Sequence, residues 1–198
     1  MAGERNLPHF EPLPIDYQIL ADGLRHYTDN DYPYREVPWV VRPEAMAVTL
    51  PLGAEATSNQ YGDLVGSGEQ SFIELMMRGE QLDKACCITP CFRLEPHYDE
   101  LHHGYFMKLE LFDPNATTQT LMAMIACANT FYEHYIDTQI IATGTDMYDI
   151  VDTHNGIELG SYGFRTWDEQ TFTYGTGVAL PRLSTAIAKA QNFTQGEL

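Results

Sequence analysis

The feature that most constrains the fold is a pair of apolar segments joined by a polar loop in the middle of the chain. Residues 84–94 and 105–112 each predict a strand, and the stretch PHYDELHHG between them is typical of a turn-rich loop. Together they predict an antiparallel hairpin with a long loop. Since side chains alternate between the faces of a strand, Arg93 and Glu95 share one face of the first strand, and Phe106, Lys108 and Glu110 share one face of its partner. An arginine, an aromatic ring and two carboxylates can therefore line one concave sheet surface.

The rest of the chain predicts more strands and a few helices. Helices are predicted over residues 15–28, 69–78, 117–135 and 181–190. Further strands are predicted over residues 37–41, 45–50, 139–143, 148–151, 157–159 and 174–179. Asp113 or Asn115 is the expected N-cap of the third helix, and Pro181 suits the first turn of the last. The pattern indicates an α+β fold, an antiparallel β-sheet flanked by helices, with an extended segment over residues 1–14 and one domain over residues 15–198.

Composition narrows the class of protein. The 198 residues are 44% apolar, and no apolar run is long enough to cross a membrane. The four cysteines lack the spacing of a zinc site, so we expect reduced thiols in a cytoplasmic protein. A net charge of −17, with 11 lysines and arginines and no basic cluster, argues against a DNA-binding face or a large RNA-binding face.

The hairpin carries a set of side chains that suits a nucleotide. A guanidinium from Arg93 can hold a phosphate, the Phe106 ring can stack on a base, and the carboxylates of Glu95 and Glu110 can hold an amine or a metal. The alternative is a half-exposed hairpin on which polar residues alternate by default.

The sequence GTGVALPR at residues 175–182 is the second notable segment. Small residues at every second position can clear one strand face for a flat ligand. Arg182 then falls in the first turn of a helix, where the helix N-terminus already favours anions. The alternative is a strand packed closely on a neighbour, with a solvated arginine.

With their order and spacing, these segments resemble the catalytic core of class II aminoacyl-tRNA synthetases. FRLE, the loop, and His102-xxx-Phe106-xxx-Glu110 resemble motif 2, while GTGVALPR resembles motif 3. The stretch YREVP that ends at Pro38 looks like motif 1, which implies a homodimer. The resemblance implies an ATP-binding catalytic domain that forms an acyl-adenylate and releases pyrophosphate.

The resemblance also implies roles for the ATP-contacting residues. Arg93 would hold the α-phosphate and the substrate carboxylate. Glu95 would meet the adenine amine, and His102 would reach the terminal phosphates. Phe106 would stack on adenine. Arg182 would cover the base and touch the γ-phosphate, so that Arg93 and Arg182 are the predicted catalytic residues.

The segment before motif 3 resembles that of aspartyl- and asparaginyl-tRNA synthetases and of ammonia-dependent asparagine synthetase. Glu158 would bind the Mg²⁺ of ATP, with Asp149 or Asp152 as the second carboxylate. Arg165, seven residues after Glu158, would clamp a side-chain carboxylate, which favours an aspartate-like amino acid. The alternative is a surface ion pair of Arg165.

The substrate amino group and the acceptor complete the expectations. Glu69 or Gln70 looks like the residue that holds the α-amino group. Because no anticodon-binding segment flanks the core, tRNA is a doubtful acceptor, and we expect transfer to a non-tRNA acceptor. The alternatives are asparagine synthesis from ammonia, a tRNA synthetase that acts with a separate RNA-binding chain, and a non-catalytic ligand-binding regulator.

Overall fold

Five helices and nine strands form the part of the chain that the computed structural model describes, residues 12–95 and 97–196. Residues 1–11 of the predicted N-terminal segment lie outside the described residues. The helices are α1 (Tyr17–Asp29), α2 (Pro43–Ala47), α3 (Gly68–Met77), α4 (Thr118–Tyr132) and α5 (Arg182–Gly196). The strands are β1 (Val40–Val41), β2 (Thr57–Asn59), β3 (Gly62–Leu64), β4 (Ala85–Phe92), β5 (Tyr105–Asp113), β6 (Thr138–Gly144), β7 (Met147–Asp152), β8 (Glu158–Trp167) and β9 (Gln170–Leu180).

The main sheet has six antiparallel strands in the order β4-β5-β9-β8-β7-β6. The predicted hairpin is confirmed as β4 and β5, with Cys87 opposite Glu110 and Phe92 opposite Tyr105. Strand β9, late in the sequence, inserts between β5 and β8. A smaller sheet of order β1-β3-β2 lies beside it. The predicted α+β fold of helices on an antiparallel sheet is therefore confirmed.

Each face of the main sheet is covered by its own apolar cluster. On one face, Leu109 and Leu111 of β5 pack with side chains of α1, α4 and α5. On the other face, Phe112 stacks on Phe72 of α3 with ring centroids 4.8 Å apart. Alternation along β5 explains this division, because consecutive side chains point to opposite faces. The face that carries α3 also carries Lys108 and Glu110, which are buried.

Three local predictions were wrong, each for a physical reason. Residues 45–50 do not form a strand: Pro43 starts the short helix α2, which buries Ala45 and Met46 in the α3-side cluster. The N-cap of α4 is Thr117, whose side chain accepts the Thr120 N–H. Strand β8 extends to Trp167, well beyond the predicted residues 157–159, because β9 pairs with it from Tyr162 to Trp167.

The cysteines and the helix lengths complete the description. All four cysteines are free, and Cys86, Cys87 and Cys91 are buried in β4. Burial raises the pKa of Cys91 to about 11. Among the described residues, the helices are all too short or too polar to span a bilayer.

Candidate active site

A cavity of about 550 Å³ lies on the α3 side of the main sheet. Its walls come from the start of α3, the β4–β5 loop, the cavity-facing side chains of β5, β8 and β9, and the first residue of α5. Nine of the predicted site residues line it: Glu69, Gln70, Arg93, Glu95, His102, Phe106, Glu158, Arg165 and Arg182. The volume falls in the range of pockets that bury a small ligand.

The hairpin end supplies an arginine above an aromatic ring. The Arg93 guanidinium lies 5.0 Å from the centroid of the Phe106 ring, a cation–π arrangement. Its Nε also donates to the Gly66 carbonyl at 3.0 Å. Strand β4 ends at Phe92, so Arg93 and Glu95 lie in the loop rather than on the predicted strand face. The loop nevertheless starts in register, because the Arg93 N–H donates to the Gly104 carbonyl.

His102 lies further along the same loop and is held by Asp99. The Asp99 carboxylate accepts from the His102 backbone N–H at 2.8 Å and lies 2.9 Å from its Nδ1. Hydrogen bonds from the Leu101 backbone and from His102 lower the pKa of Asp99 to about 2. Asp99 therefore holds the imidazole of His102, which lines the cavity.

A partly buried ion pair joins α3 to β8. The Arg165 Nε donates to Glu69 Oε1 at 2.7 Å, and the guanidinium carbon lies 4.9 Å from the Tyr174 ring centroid. Burial raises the pKa of Glu69, and the charge and hydrogen bond of Arg165 offset only part of that effect. Only Nε of Arg165 is used in this contact, so the two terminal nitrogens remain available for a carboxylate.

The structure distinguishes the two candidates for the substrate amino group. The side-chain amide of Gln70 is already hydrogen-bonded at the start of α3. Its Oε1 accepts from the Gly66 and Ser67 N–H groups, and its Nε2 donates to Thr49. Glu69, by contrast, has one carboxylate oxygen on Arg165 and lines the cavity. Glu69 is thus the better placed group for an ammonium.

Glu158 of β8 and Arg182 of α5 form a second ion pair in the cavity wall. Arg182 Nη1 lies 3.2 Å from Glu158 Oε1. Arg182 lies in the first turn of α5, as predicted, although α5 starts at Arg182 and not at Pro181. Asp149 of β7 pairs across the sheet with Ser161 of β8, which lines the cavity, so Asp149 shares that face one strand further out. Burial raises the pKa of Asp149, and the nearby Glu158 charge adds to the effect.

These carboxylates fit a magnesium ion that also takes phosphate ligands. Mg²⁺ is usually held by one or two carboxylates together with substrate phosphates. Glu158 and Asp149 can supply that number, and among the described residues no larger cluster of metal-binding side chains occurs. The structure separates Asp152 from this set. Its carboxylate accepts backbone N–H groups of His154, Asn155 and Ile157 and so holds the β7–β8 turn.

The glycines of β9 do not clear a ligand surface. A Cβ on Gly175 would lie 2.4 Å from Tyr162 Cδ1, and one on Gly177 would lie 2.4 Å from Leu109 Cδ2. Both glycines therefore face the core, and the close-packing alternative is correct. The cavity face of β9 consists instead of Tyr174, Thr176, Ala179 and Leu180.

Sequence reasoning missed several polar residues of the cavity. Ser67, Lys108 and Tyr174 are among those that line it although no role was predicted for them. Lys108 could have been found, because its alternation with Phe106 and Glu110 places it on the same strand face. Ser67 and Tyr174 carry no comparable signal, since their positions depend on how α3 and β9 are placed around the cavity.

The cavity is electrostatically distinct from the rest of the molecule. Four of the 11 lysines and arginines line it, together with four of the 28 acidic residues. The net charge of −17 therefore belongs to the remainder of the chain. Such a cavity can accept an anionic nucleotide that the outer surface repels.

Comparison with known proteins gives matches by structure. No protein-family description matches the sequence, and no curated protein sequence does either. Two structures of pyrrolysyl-tRNA synthetase from Desulfitobacterium hafniense superpose with TM-scores of 0.67 and 0.63 at 12% identity; each match covers 86% of this chain and 68% of that one. Cytoplasmic serine-tRNA ligase from Naegleria fowleri, solved in complex with AMP, superposes with a TM-score of 0.64 at 17% identity. The match covers 83% of this chain and 46% of that chain.

The chain has the class II aminoacyl-tRNA synthetase fold. The synthetase fold was the prediction from the three motifs, and it is confirmed. At 12% and 17% identity the likeness concerns the fold, and this chain matches less than half the length of the Naegleria enzyme. The matched neighbours are ligases, and the Naegleria structure holds AMP.

Proposed function

We propose that this protein binds ATP, activates an amino acid as its aminoacyl-adenylate with release of pyrophosphate, and passes the acyl group to a non-tRNA acceptor. The observation that carries the proposal is the convergence, in one cavity, of nine residues from α3, the hairpin, β8 and α5. These residues are far apart in the sequence, and the synthetase fold brings them together.

The chemistry is an in-line displacement at the α-phosphorus. A substrate carboxylate oxygen forms a bond to phosphorus as the bridge to the β-phosphate breaks, and pyrophosphate leaves with the electron pair. Arg93 stabilises the charge on the α-phosphate and orients the carboxylate, while Phe106 stacks on the adenine. Glu95 accepts from the adenine amine. Arg182 and His102 bind the terminal phosphates.

A magnesium ion held by Glu158 and Asp149 would neutralise phosphate charge during this step. Arg182 now pairs with Glu158. We infer that Arg182 leaves this pair to contact the nucleotide.

The amino acid is proposed to be aspartate or a close analogue. Glu69 provides a carboxylate for the α-ammonium, and Arg165 keeps its two terminal nitrogens free for a second carboxylate. The Tyr174 ring fixes the plane of the guanidinium. This arrangement supports a substrate with an ammonium and a side-chain carboxylate on neighbouring carbons.

Amino-acid-dependent exchange of pyrophosphate into ATP tests the proposal. With a panel of the common amino acids, we expect exchange with aspartate first. Arg165→Ala should raise the KM for aspartate roughly tenfold to a hundredfold, since a hydrogen bond to a charged group contributes about 1.5–3 kcal/mol. Arg25→Ala is the matched control, because Arg25 pairs with Asp22 on the exposed face of α1.

The negative outcomes of this experiment are distinct. Exchange with another amino acid but not with aspartate would reject the aspartate assignment alone. If no amino acid supports exchange, but ATP raises the melting temperature, the protein is a ligand-binding regulator. When exchange is present, mass spectrometry of products formed with ammonia and small amines identifies the acceptor. A homodimer formed around Pro38 remains a prediction, to be tested by light scattering.

A further inference from the structure

Three polar side chains, Ser67, Lys108 and Glu110, form a network beside the amino-acid end of the cavity, which we term the polar floor. Lys108 Nζ lies 2.8 Å from Glu110 Oε2 and 3.3 Å from Ser67 Oγ. The Ser67 hydroxyl also donates to Glu110 Oε2. Lys108 and Ser67 line the cavity, while Glu110 is fully buried behind them.

The polar floor is assembled by the packing of α3 on β5. Ser67 is the N-cap of α3, and Gly68 follows it. A Cβ on Gly68 would lie 2.9 Å from the Glu110 Cβ, so the absence of a side chain lets the helix start directly on the strand. Glu69 comes from the same helical turn, which places the polar floor next to the Glu69–Arg165 pair.

Burying this network has a desolvation cost, and the stability of a fold does not in general require such a network. Removing two charges from water is unfavourable, and their mutual attraction often does not recover the cost, so apolar replacements of buried ion pairs are often neutral or stabilising. Glu110 Oε1 is moreover buried without a hydrogen-bond partner among the described residues. The fold therefore maintains an imperfectly satisfied charged pair beside its substrate cavity.

The polar floor presents a hydrogen-bond donor to a ligand. An ammonium has three N–H donors, and the contacts of Lys108 with Glu110 and Ser67 account for two. The third is available on the cavity side, where the Lys108 side chain retains 11% of its exposure. A donor beside Arg165 suits an oxygen acceptor, whereas an apolar side chain would leave the ammonium unsolvated.

We infer that Lys108 is a specificity-determining residue that binds the side-chain oxygen of the amino acid together with Arg165. The substrate class is a short side chain that ends in a carboxylate or an amide, and alanine-like side chains are disfavoured. The inference rests on the proposed function and deepens it. Glu110 holds Lys108 in place, so it is a positioning residue that does not touch the substrate.

The test replaces the charged pair by neutral residues. Lys108→Met alone leaves Glu110 as a buried unpaired anion, so a double variant, Lys108→Met with Glu110→Gln, is made in parallel. Lys84→Met is the matched control, because Lys84 lies over the Tyr32 ring outside the cavity. Pyrophosphate exchange measures kcat/KM for aspartate, asparagine and alanine, calorimetry measures aspartate binding, and thermal unfolding verifies folding.

The expected result is a loss of at least about tenfold in the preference for aspartate over alanine, with the KM for ATP changed less than about twofold. An unchanged preference in a folded variant overturns the role of Lys108 and leaves the proposed function intact. If the wild type shows no exchange but binds aspartate, and the variants lose that binding, the proposed function fails and the role of Lys108 stands. A wild type that binds no amino acid overturns both.

Discussion

Glu69 is a buried carboxylate that lines the cavity and pairs with an arginine. It is buried, and its pKa is raised by that burial, yet Arg165 holds one of its oxygens at 2.7 Å. The carboxylate can attract an ammonium only when it is ionised. Its protonation state therefore links amino acid binding to pH.

We predict that amino acid binding weakens on acidification at a higher pH than for an ordinary glutamate. As the pH falls through the raised pKa of Glu69, the carboxyl becomes neutral and loses its attraction for the ammonium. An unperturbed glutamate has a pKa of about 4.3. The measurement is the KM of the amino acid in pyrophosphate exchange across pH, with the KM of ATP as the internal reference.

Glu69→Gln provides the control for this pH profile. The amide keeps the shape of the side chain but does not titrate, so the acid-side rise in KM should disappear while the absolute KM increases. A rise that persists unchanged in Glu69→Gln would assign the titration to another group and contradict the prediction.

Individual residues also show how far sequence patterns reach. The resemblance to motifs 2 and 3 implied that Arg93, Phe106 and Arg182 share a site, and all three line one cavity. Phe106 lies on the predicted strand β5 and Arg182 at the start of a helix, whereas Arg93 lies in the loop after β4. The pairing of Arg165 with Glu69 was not predictable, since it joins residues 96 positions apart through the packing of α3 on the sheet. Asp152 looked similar to Asp149 in the sequence, but a turn uses its carboxylate.

Among the elements, strand β9 contributes side chains both to the cavity wall and to the core, and a bulge decides which residue faces which side. Its register on β5 passes from Leu109–Val178 to Glu110–Thr176, so Gly177 is an extra, bulged residue. The bulge shifts the alternation of β9 and returns Ala179 to the cavity face. The Gly177 carbonyl accepts from the buried Tyr27 hydroxyl at 2.7 Å, which fastens the bulge to α1. Sequence alternation could not predict this shift, because a bulge changes the period.

We predict that Gly177→Ala destabilises the protein. Its Cβ would lie 2.4 Å from Leu109 Cδ2 and 2.8 Å from Tyr27 Cε2, inside a closely packed core. Overpacking of this kind costs about 1–3 kcal/mol, which corresponds to a fall of roughly 3–10 °C in the melting temperature. Differential scanning calorimetry measures the change.

The matched control for the bulge is Gly144→Ala. Gly144, at the end of β6, also lies at a register shift, but a Cβ there would meet the flexible Met147 side chain at 3.3 Å. We expect a change within about 0.5 kcal/mol for this surface substitution. Equal melting temperatures for the two variants would contradict the assignment of Gly177 to a closely packed bulge.

For the whole molecule, the distribution of charge favours binding of a nucleotide in the cavity over binding of a nucleic acid to the surface. The cavity lining is balanced between acids and bases, whereas the rest of the chain carries the net charge of −17. Nucleic-acid affinity depends on many phosphate contacts with lysine and arginine, which such a surface lacks.

We predict that the protein does not bind tRNA at physiological salt. In a filter-binding assay at about 0.15 M salt, the dissociation constant for unfractionated tRNA should exceed about 100 µM, the weak end of non-specific binding. The assay includes ATP, Mg²⁺ and aspartate, so that an adenylate-dependent complex is not missed. Micromolar binding that weakens steeply with salt would instead make tRNA the acceptor.

The central position of β9 also governs when activity can arise during synthesis. A ribosome releases the chain from its N-terminus, and domains generally acquire structure as their segments emerge. Strand β9 ends at Leu180 and fills the gap between β5 and β8, two strands that cannot form this sheet without it. A nascent chain that stops before residue 170 therefore lacks both the core-facing glycines and Arg182. A chain truncated before residue 170 is therefore expected not to assemble the cavity.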